Sequence, residues 1–180
     1  MRKITFIITA FIAPIFFCLG QSVSDEFIDW HAERQLTWDD YKGKPDPSSD
    51  AAALTSTFLG IEYNIDQSGL SWKIQCRFSK PRSWGKAKTD YILQHERGHF
   101  DVAEIFARKL NQKMKEYRFN KNTYQKDLRK IYDDVTSEKE KFQDQYDSES
   151  DHSRNSEMQT KWTKKIAQML RELEEFANYS

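Results

Sequence analysis

The chain has 180 residues, with 28 Lys+Arg balanced by 28 Asp+Glu, no formal net charge and 38% hydrophobic residues. That length suits one domain. The even charge, without a basic stripe interleaved with aromatics, excludes the electrostatic footprint of a nucleic-acid binder, and two cysteines are too few for a disulfide framework.

Met1-Arg-Lys followed by an apolar run from Ile4 to Leu19 and a small residue before Gln21 has the three regions of a secretory signal peptide. The run is short for a span of about 20 residues and contains Pro14, and the bulky Phe16 and Phe17 before Cys18 argue against a lipoprotein. The expected organisation is therefore a signal peptide over residues 1–20 and a single domain over 21–180, with no stable membrane span after cleavage. Loss of Arg2 and Lys3 leaves 28 − 2 = 26 positive groups against 28 negative ones. The mature chain stays near neutral and keeps only Cys76.

Between Gln21 and Asp50, Trp30 and Trp38 read as core anchors and His31 as a surface residue, while Gly43, Pro45 and Pro47 mark a loop. Ala51–Asp66 and Leu70–Phe78 read as two antiparallel strands joined by the turn at residues 66–69. The second strand alternates at period two, so Leu70, Trp72, Ile74, Cys76 and Phe78 share a buried face, with Cys76 an inert core thiol.

Tyr91–Leu110 carries apolar residues at helical spacing with no proline, starting near Lys88 or Thr89. Within it, His95-Glu96-Arg97-Gly98-His99 sets two imidazoles one turn apart on one face, able to reach one ion about 2.0–2.1 Å from each nitrogen. Glu96 then sits beside the open coordination position, placed to act on a water there. Gly98 costs the helix roughly 1 kcal/mol relative to alanine, which suggests that room is needed for a ligand or a neighbouring backbone. Glu104 points to the opposite side of the helix and Asp101 lies off the histidine face, so the third ligand has to come from another segment.

Asn122 or Thr123 can cap a second helix running to about Tyr146, with Tyr124, Leu128, Ile131, Val135 and Phe142 inward. Its alternating charges read as a solvated face. A third helix from about Ser156 to Tyr179 turns Met158, Trp162, Ile166, Leu170, Leu173 and Phe176 inward. The connection Tyr146–Asn155 between them holds His152, the preferred third metal ligand, with Asp147, Glu149 or Glu157 as carboxylate alternatives. Tyr146 is a candidate donor to a developing oxyanion.

His95-Glu-Arg-Gly-His-Phe-Asp-Val-Ala-Glu104, together with the upstream Leu36-Thr-Trp-Asp-Asp-Tyr-Lys-Gly-Lys-Pro45 and a downstream Tyr-Asp-x-x-Ser-x-His segment, resembles the DUF922 family of bacterial proteins, described as secreted zinc-dependent proteases. The resemblance runs from about Trp30 to Trp162. The family's downstream segment reads Tyr-Asp-x-x-Thr-x-His-Gly; here Ser150 replaces the threonine and Ser153 the glycine. What the resemblance implies is an α+β, zincin-like domain: a small antiparallel or mixed sheet packed on the metal helix, a cleft between them, and a helical second half.

The sequence thus leads to the expectation of a secreted or periplasmic zinc peptidase. Zn2+ would be bound by His95, His99 and His152, Glu96 would be the general base, and the partner would be a peptide or protein substrate held by an edge strand. The rival expectations are a non-catalytic metal-binding protein and a cell-envelope interaction module in which the H-E-x-x-H string is incidental.

Overall fold

The computed structural model describes residues 26–67 and 69–179. The signal peptide expected over residues 1–20 lies outside them. The strands are β1 (Phe27–Asp29), β2 (Ala53–Leu54), β3 (Thr57–Asp66), β4 (Gly69–Ser79) and β5 (Trp84–Gly85), followed by the helices α1 (Asp90–Glu116), α2 (Tyr124–Ser150) and α3 (Ser156–Glu172). The fold is α+β, with the sheets in the first half and the helices in the second.

β3 and β4 form the expected hairpin, paired from Thr57↔Phe78 to Asp66↔Gly69. The sequence reading started the first of these strands too early. Residues 53–54 instead form β2, which among the described residues pairs with β5 alone. The larger sheet has the order β1-β4-β3, so β4 is central and β3 is an edge. Ile74, Cys76 and Phe78 are buried as the alternation requires. Leu70 and Trp72 are only half-buried, and Trp72 donates its indole N–H to Asn111 Oδ1 at 3.0 Å.

α1 is the centre of the molecule, packed by β3 and β4 on one side and by α2 and α3 on the other. Val102, Ala103, Ile105, Phe106, Ala107 and Leu110 are fully buried, so this stretch is apolar around much of its circumference, as an enclosed helix must be. Thr89 caps its start by accepting the Ile92 amide. Trp30 and Trp38 are half-buried and anchor to this helix, donating to Asp101 Oδ1 at 2.9 Å and to the Thr89 carbonyl at 3.2 Å. His31 is exposed, and Glu104 faces away from the histidine pair, held by Arg108 at 2.8 Å and by the Tyr179 hydroxyl. Burial holds the Cys76 thiol well above its usual pKa, an inert core group.

Two helix boundaries differ from expectation, and one of them matters for the site. α3 ends at Glu172, after which a short 3-10 turn (Glu174–Phe176) brings the Tyr179 carbonyl onto the Ile74 amide at 3.1 Å. α2 continues four residues beyond Tyr146, to Ser150. The run Tyr-Asp-Ser-Glu-Ser reads as loop from its poor helix formers, but it contains no glycine or proline and is held by the burial of Tyr146 and Ser150. Tyr146 and Asp147 therefore project from a helix.

α2 then ends abruptly. Asp151, His152 and Ser153 all have positive φ, at 50°, 49° and 74°, a left-handed conformation costing roughly 1–2 kcal/mol for each L-residue. The turn is fastened by the His152 amide on the Asp147 carbonyl at 2.9 Å and by the Tyr91 hydroxyl on the Ser153 carbonyl. Ser153, where the family pattern has glycine, is thus at a position glycine suits. Ser153→Gly should stabilise the fold by up to about 1 kcal/mol, since it relieves this strain at some cost in unfolded-state entropy; urea denaturation measures it, and a loss of stability would show that the turn is unstrained.

Candidate metal centre

His95 and His99 leave α1 one turn apart and meet Asp147 from α2. Asp147 Oδ1 lies 3.0 Å from His95 Nε2 and 3.1 Å from His99 Nε2, and the two Nε2 atoms are 3.2 Å from each other. Behind them, each ring's other nitrogen meets a glutamine: His95 Nδ1 is 2.9 Å from Gln159 Oε1, and His99 Nδ1 bonds Gln143 Oε1.

The surrounding network assigns the tautomers. Gln143 donates its amide nitrogen to the His99 carbonyl at 3.0 Å. A carbonyl only accepts, so Gln143 must turn its oxygen to Nδ1, which therefore carries a proton. The Tyr146 hydroxyl donates to the His95 carbonyl at 3.2 Å and accepts from Gln159 Nε2 at 2.8 Å, which fixes Gln159 in the same sense. Both Nε2 atoms then present lone pairs to each other and to a carboxylate. Three acceptors facing one another at this range need a cation among them, whether a proton or a metal ion.

The donor set fits a metal. Tetrahedral zinc with bonds of about 2.0–2.1 Å holds its ligands about 3.3–3.4 Å apart, within a few tenths of an ångström of the separations found. His95, His99 and Asp147 could hold the ion, with Gln159 and Gln143 orienting the rings. Burial alone would lower the His99 pKa, but the hydrogen bond and charge of Asp147 outweigh it and the net shift is upward. Burial would likewise raise Asp147, yet the two imidazoles hold it well below the usual carboxylate range. Both directions express the same demand for positive charge.

Glu96 is 4% exposed. Its Oε2 accepts from Thr55 Oγ1 at 2.6 Å, and Thr55 in turn accepts from the Tyr41 hydroxyl at 2.8 Å. Tyr41 belongs to the upstream segment around Trp38, where Asp40 closes a capping box with Thr37. That segment thus reaches the helix through a two-bond chain. Glu96 and the three donors line a cleft of about 520 Å3 whose opposite wall is residues 51–57.

The remaining predicted site residues stand apart from the three donors. The His152 side chain is 63% exposed, at the cleft mouth, with Nδ1 3.8 Å from Asp147 Oδ1. Glu149 bonds Trp162 and Gln145, and Glu157 pairs with Lys161. Tyr146 is fully buried behind the histidines, its ring centroid 4.6 Å from that of His95, and its hydroxyl is spent on His95 and Gln159. It packs and orients the site and does not face the cleft. It also accounts for Gly98: a Cβ there would lie 2.5 Å from the Tyr146 hydroxyl, so the room serves this side chain and not the neighbouring backbone or ligand expected.

A family model described as "Bacterial protein of unknown function (DUF922)" matches residues 24–153. The chain belongs to the DUF922 family. No curated protein and no solved structure matches it. The DUF922 match includes the H-E-x-x-H helix, the Trp38 segment and the turn at Ser153, whereas Gln159, which orients His95, lies beyond it on α3.

Sequence reasoning missed Gln143, Gln159, Thr55 and Tyr41. Gln143 and Asp147 stand four residues apart on α2, as His95 and His99 do on α1, a signal that becomes visible once α2 is allowed to run past Tyr146. In zinc titrations of purified protein, Asp147→Ala should abolish tight binding, Gln143→Leu should weaken it about 10–100-fold, and His152→Ala should leave it within a few-fold of wild type. Tight binding by Asp147→Ala with loss in His152→Ala would reverse the assignment of the third donor.

Proposed function

We propose that this protein is a zinc-dependent hydrolase acting on peptide bonds, with a zincin-like disposition of helix, cleft and wall. The observation that carries the reading is the position of Glu96: one residue beyond His95, lining the same cleft as the three converging donors, its carboxylate held by Thr55 and Tyr41. A structural metal site would need neither a cleft at the donors nor an oriented carboxylate beside them.

Zinc held by His95, His99 and Asp147 would lower the pKa of a coordinated water to around 7 and polarise a carbonyl. The chain's own residues supply the rest. Glu96 takes the proton of the attacking water as the new C–O bond forms, then passes it to the amine nitrogen as the C–N bond breaks. Thr55 and Tyr41 hold that carboxylate in one orientation, and Gln143 and Gln159 hold the imidazoles. Among the described residues β2 has β5 as its one strand partner, and it belongs to the wall opposite Glu96. Its other edge suits an extended peptide paired through its backbone. Of the two regions that could offer a strand edge, 51–66 and 70–78, the second has none free, because β4 is flanked by β1 and β3.

Among the described residues no helix is long and apolar enough to cross a membrane. A secreted or periplasmic location agrees with the leader-like first 20 residues and with a mature chain holding one cysteine. Glu96→Gln should keep zinc at wild-type stoichiometry and lose about 100-fold or more of its activity on a fluorogenic peptide library. Unchanged hydrolysis in that variant would exclude this mechanism.

A further inference from the structure

The hydrolase reading leaves the anionic side of the reaction unassigned. Attack on a carbonyl puts negative charge on its oxygen, and Tyr146, the residue the sequence offered for that charge, is buried with its hydroxyl spent. The cleft is otherwise hostile to anions, since Glu96, Glu140, Asp144 and Asp147 all line it. Among the described residues, Lys139 is its one lysine or arginine.

Lys139 is unusual for a lysine on a charged helix. It stands on the α2 stripe that continues through Gln143 and Asp147, four and eight residues later, the stripe that faces the metal donors. It is 8% exposed, whereas the neighbouring charged positions on this helix are in solvent. Its ammonium meets Glu140 at 2.9 Å, and the Glu140 side chain is 67% exposed, free to move into water. An ammonium has three donors, so that contact does not saturate it. A charge this enclosed is costly unless it is paired, and the residue lines the same cleft as the three donors.

We propose that Lys139 is the anion-holding group of this cleft: its ammonium binds an anionic oxygen of the substrate, either the oxyanion forming at the scissile carbonyl or a carboxylate on the peptide. The inference rests on the hydrolase reading for its purpose, while its binding test needs no turnover.

The test compares wild type with Lys139→Met, which keeps the length of the stem, and with Lys139→Arg and Glu140→Gln, all zinc-loaded. Zinc content and thermal unfolding check that each variant is folded. Calorimetric titration with inorganic phosphate should show affinity reduced about tenfold in Lys139→Met, retained in Lys139→Arg, and increased in Glu140→Gln, where the competing carboxylate is gone. Peptide pools with and without carboxylates then separate the two sources. A fall in kcat of about 100-fold on every pool identifies the oxyanion; a rise in KM confined to acidic peptides identifies a substrate carboxylate. If Lys139→Met matches wild type within twofold in phosphate affinity, kcat and KM, the inference is overturned while the hydrolase reading stands. Should Lys139→Met fold poorly, a Glu140→Gln variant with unchanged phosphate affinity overturns it alone. Failure of the hydrolase reading would instead show as unchanged hydrolysis in Glu96→Gln, a variant that keeps Lys139 and its phosphate binding.

Discussion

The structure is organised around a repulsion that only a cation relieves. Two imidazole nitrogens and a carboxylate oxygen face one another 3.0–3.2 Å apart, and each imidazole is locked in the tautomer that makes this worse. The lock is built from groups with no freedom to invert. Gln143 is fixed by a backbone carbonyl, and Gln159 by a tyrosine that is itself fixed by a backbone carbonyl. Arrangements of this kind cost stability in the absence of positive charge, which a proton or a metal ion would supply.

The fold can hold such a site because its floor is rigid. Behind the histidines, the rings of Tyr146, Trp162, Phe142 and Phe106 pack in series across α1, α2 and α3, with successive centroids 5.1–5.6 Å apart, a spacing at which aromatic pairs add to simple burial. On the far side of α1, Arg108 reaches Glu104, the Leu170 carbonyl and Glu174. This pins α3 and the chain that follows it to the central helix. Gln159 therefore arrives at His95 from an element packed through Trp162 and pinned at its C-terminal end. Catalytic and ligand-binding groups need such support, since a shift of about 1 Å at the donors is enough to lose the geometry.

Much of this was legible from residue order. The period-two run from Leu70 to Phe78 gave the strand and its buried face, and the spacing of His95 and His99 gave the shared helical face and the neighbouring carboxylate. The third donor was harder. Asp147 ranks behind His152 in the sequence because His152 is the one histidine downstream of His99, in a segment where local propensity favours a loop; tertiary burial of Tyr146 and Ser150 overrides that propensity. The supports were not legible at all. Gln143, Gln159, Thr55 and Tyr41 are ordinary polar residues in sequence, and they gain meaning only when three helices and the 51–57 wall converge. Lys139 likewise looked like one more charge on a solvated helix face until its burial was known.

X-ray absorption at the zinc edge of the loaded protein tests the central claim most directly, because it reads the ligand shell itself. The account predicts two imidazole nitrogens and one carboxylate oxygen at about 2.0–2.2 Å, with a further light-atom ligand that changes when a zinc-binding inhibitor such as acetohydroxamate is added. A shell of three imidazoles, or a four-ligand protein shell indifferent to the inhibitor, would contradict it.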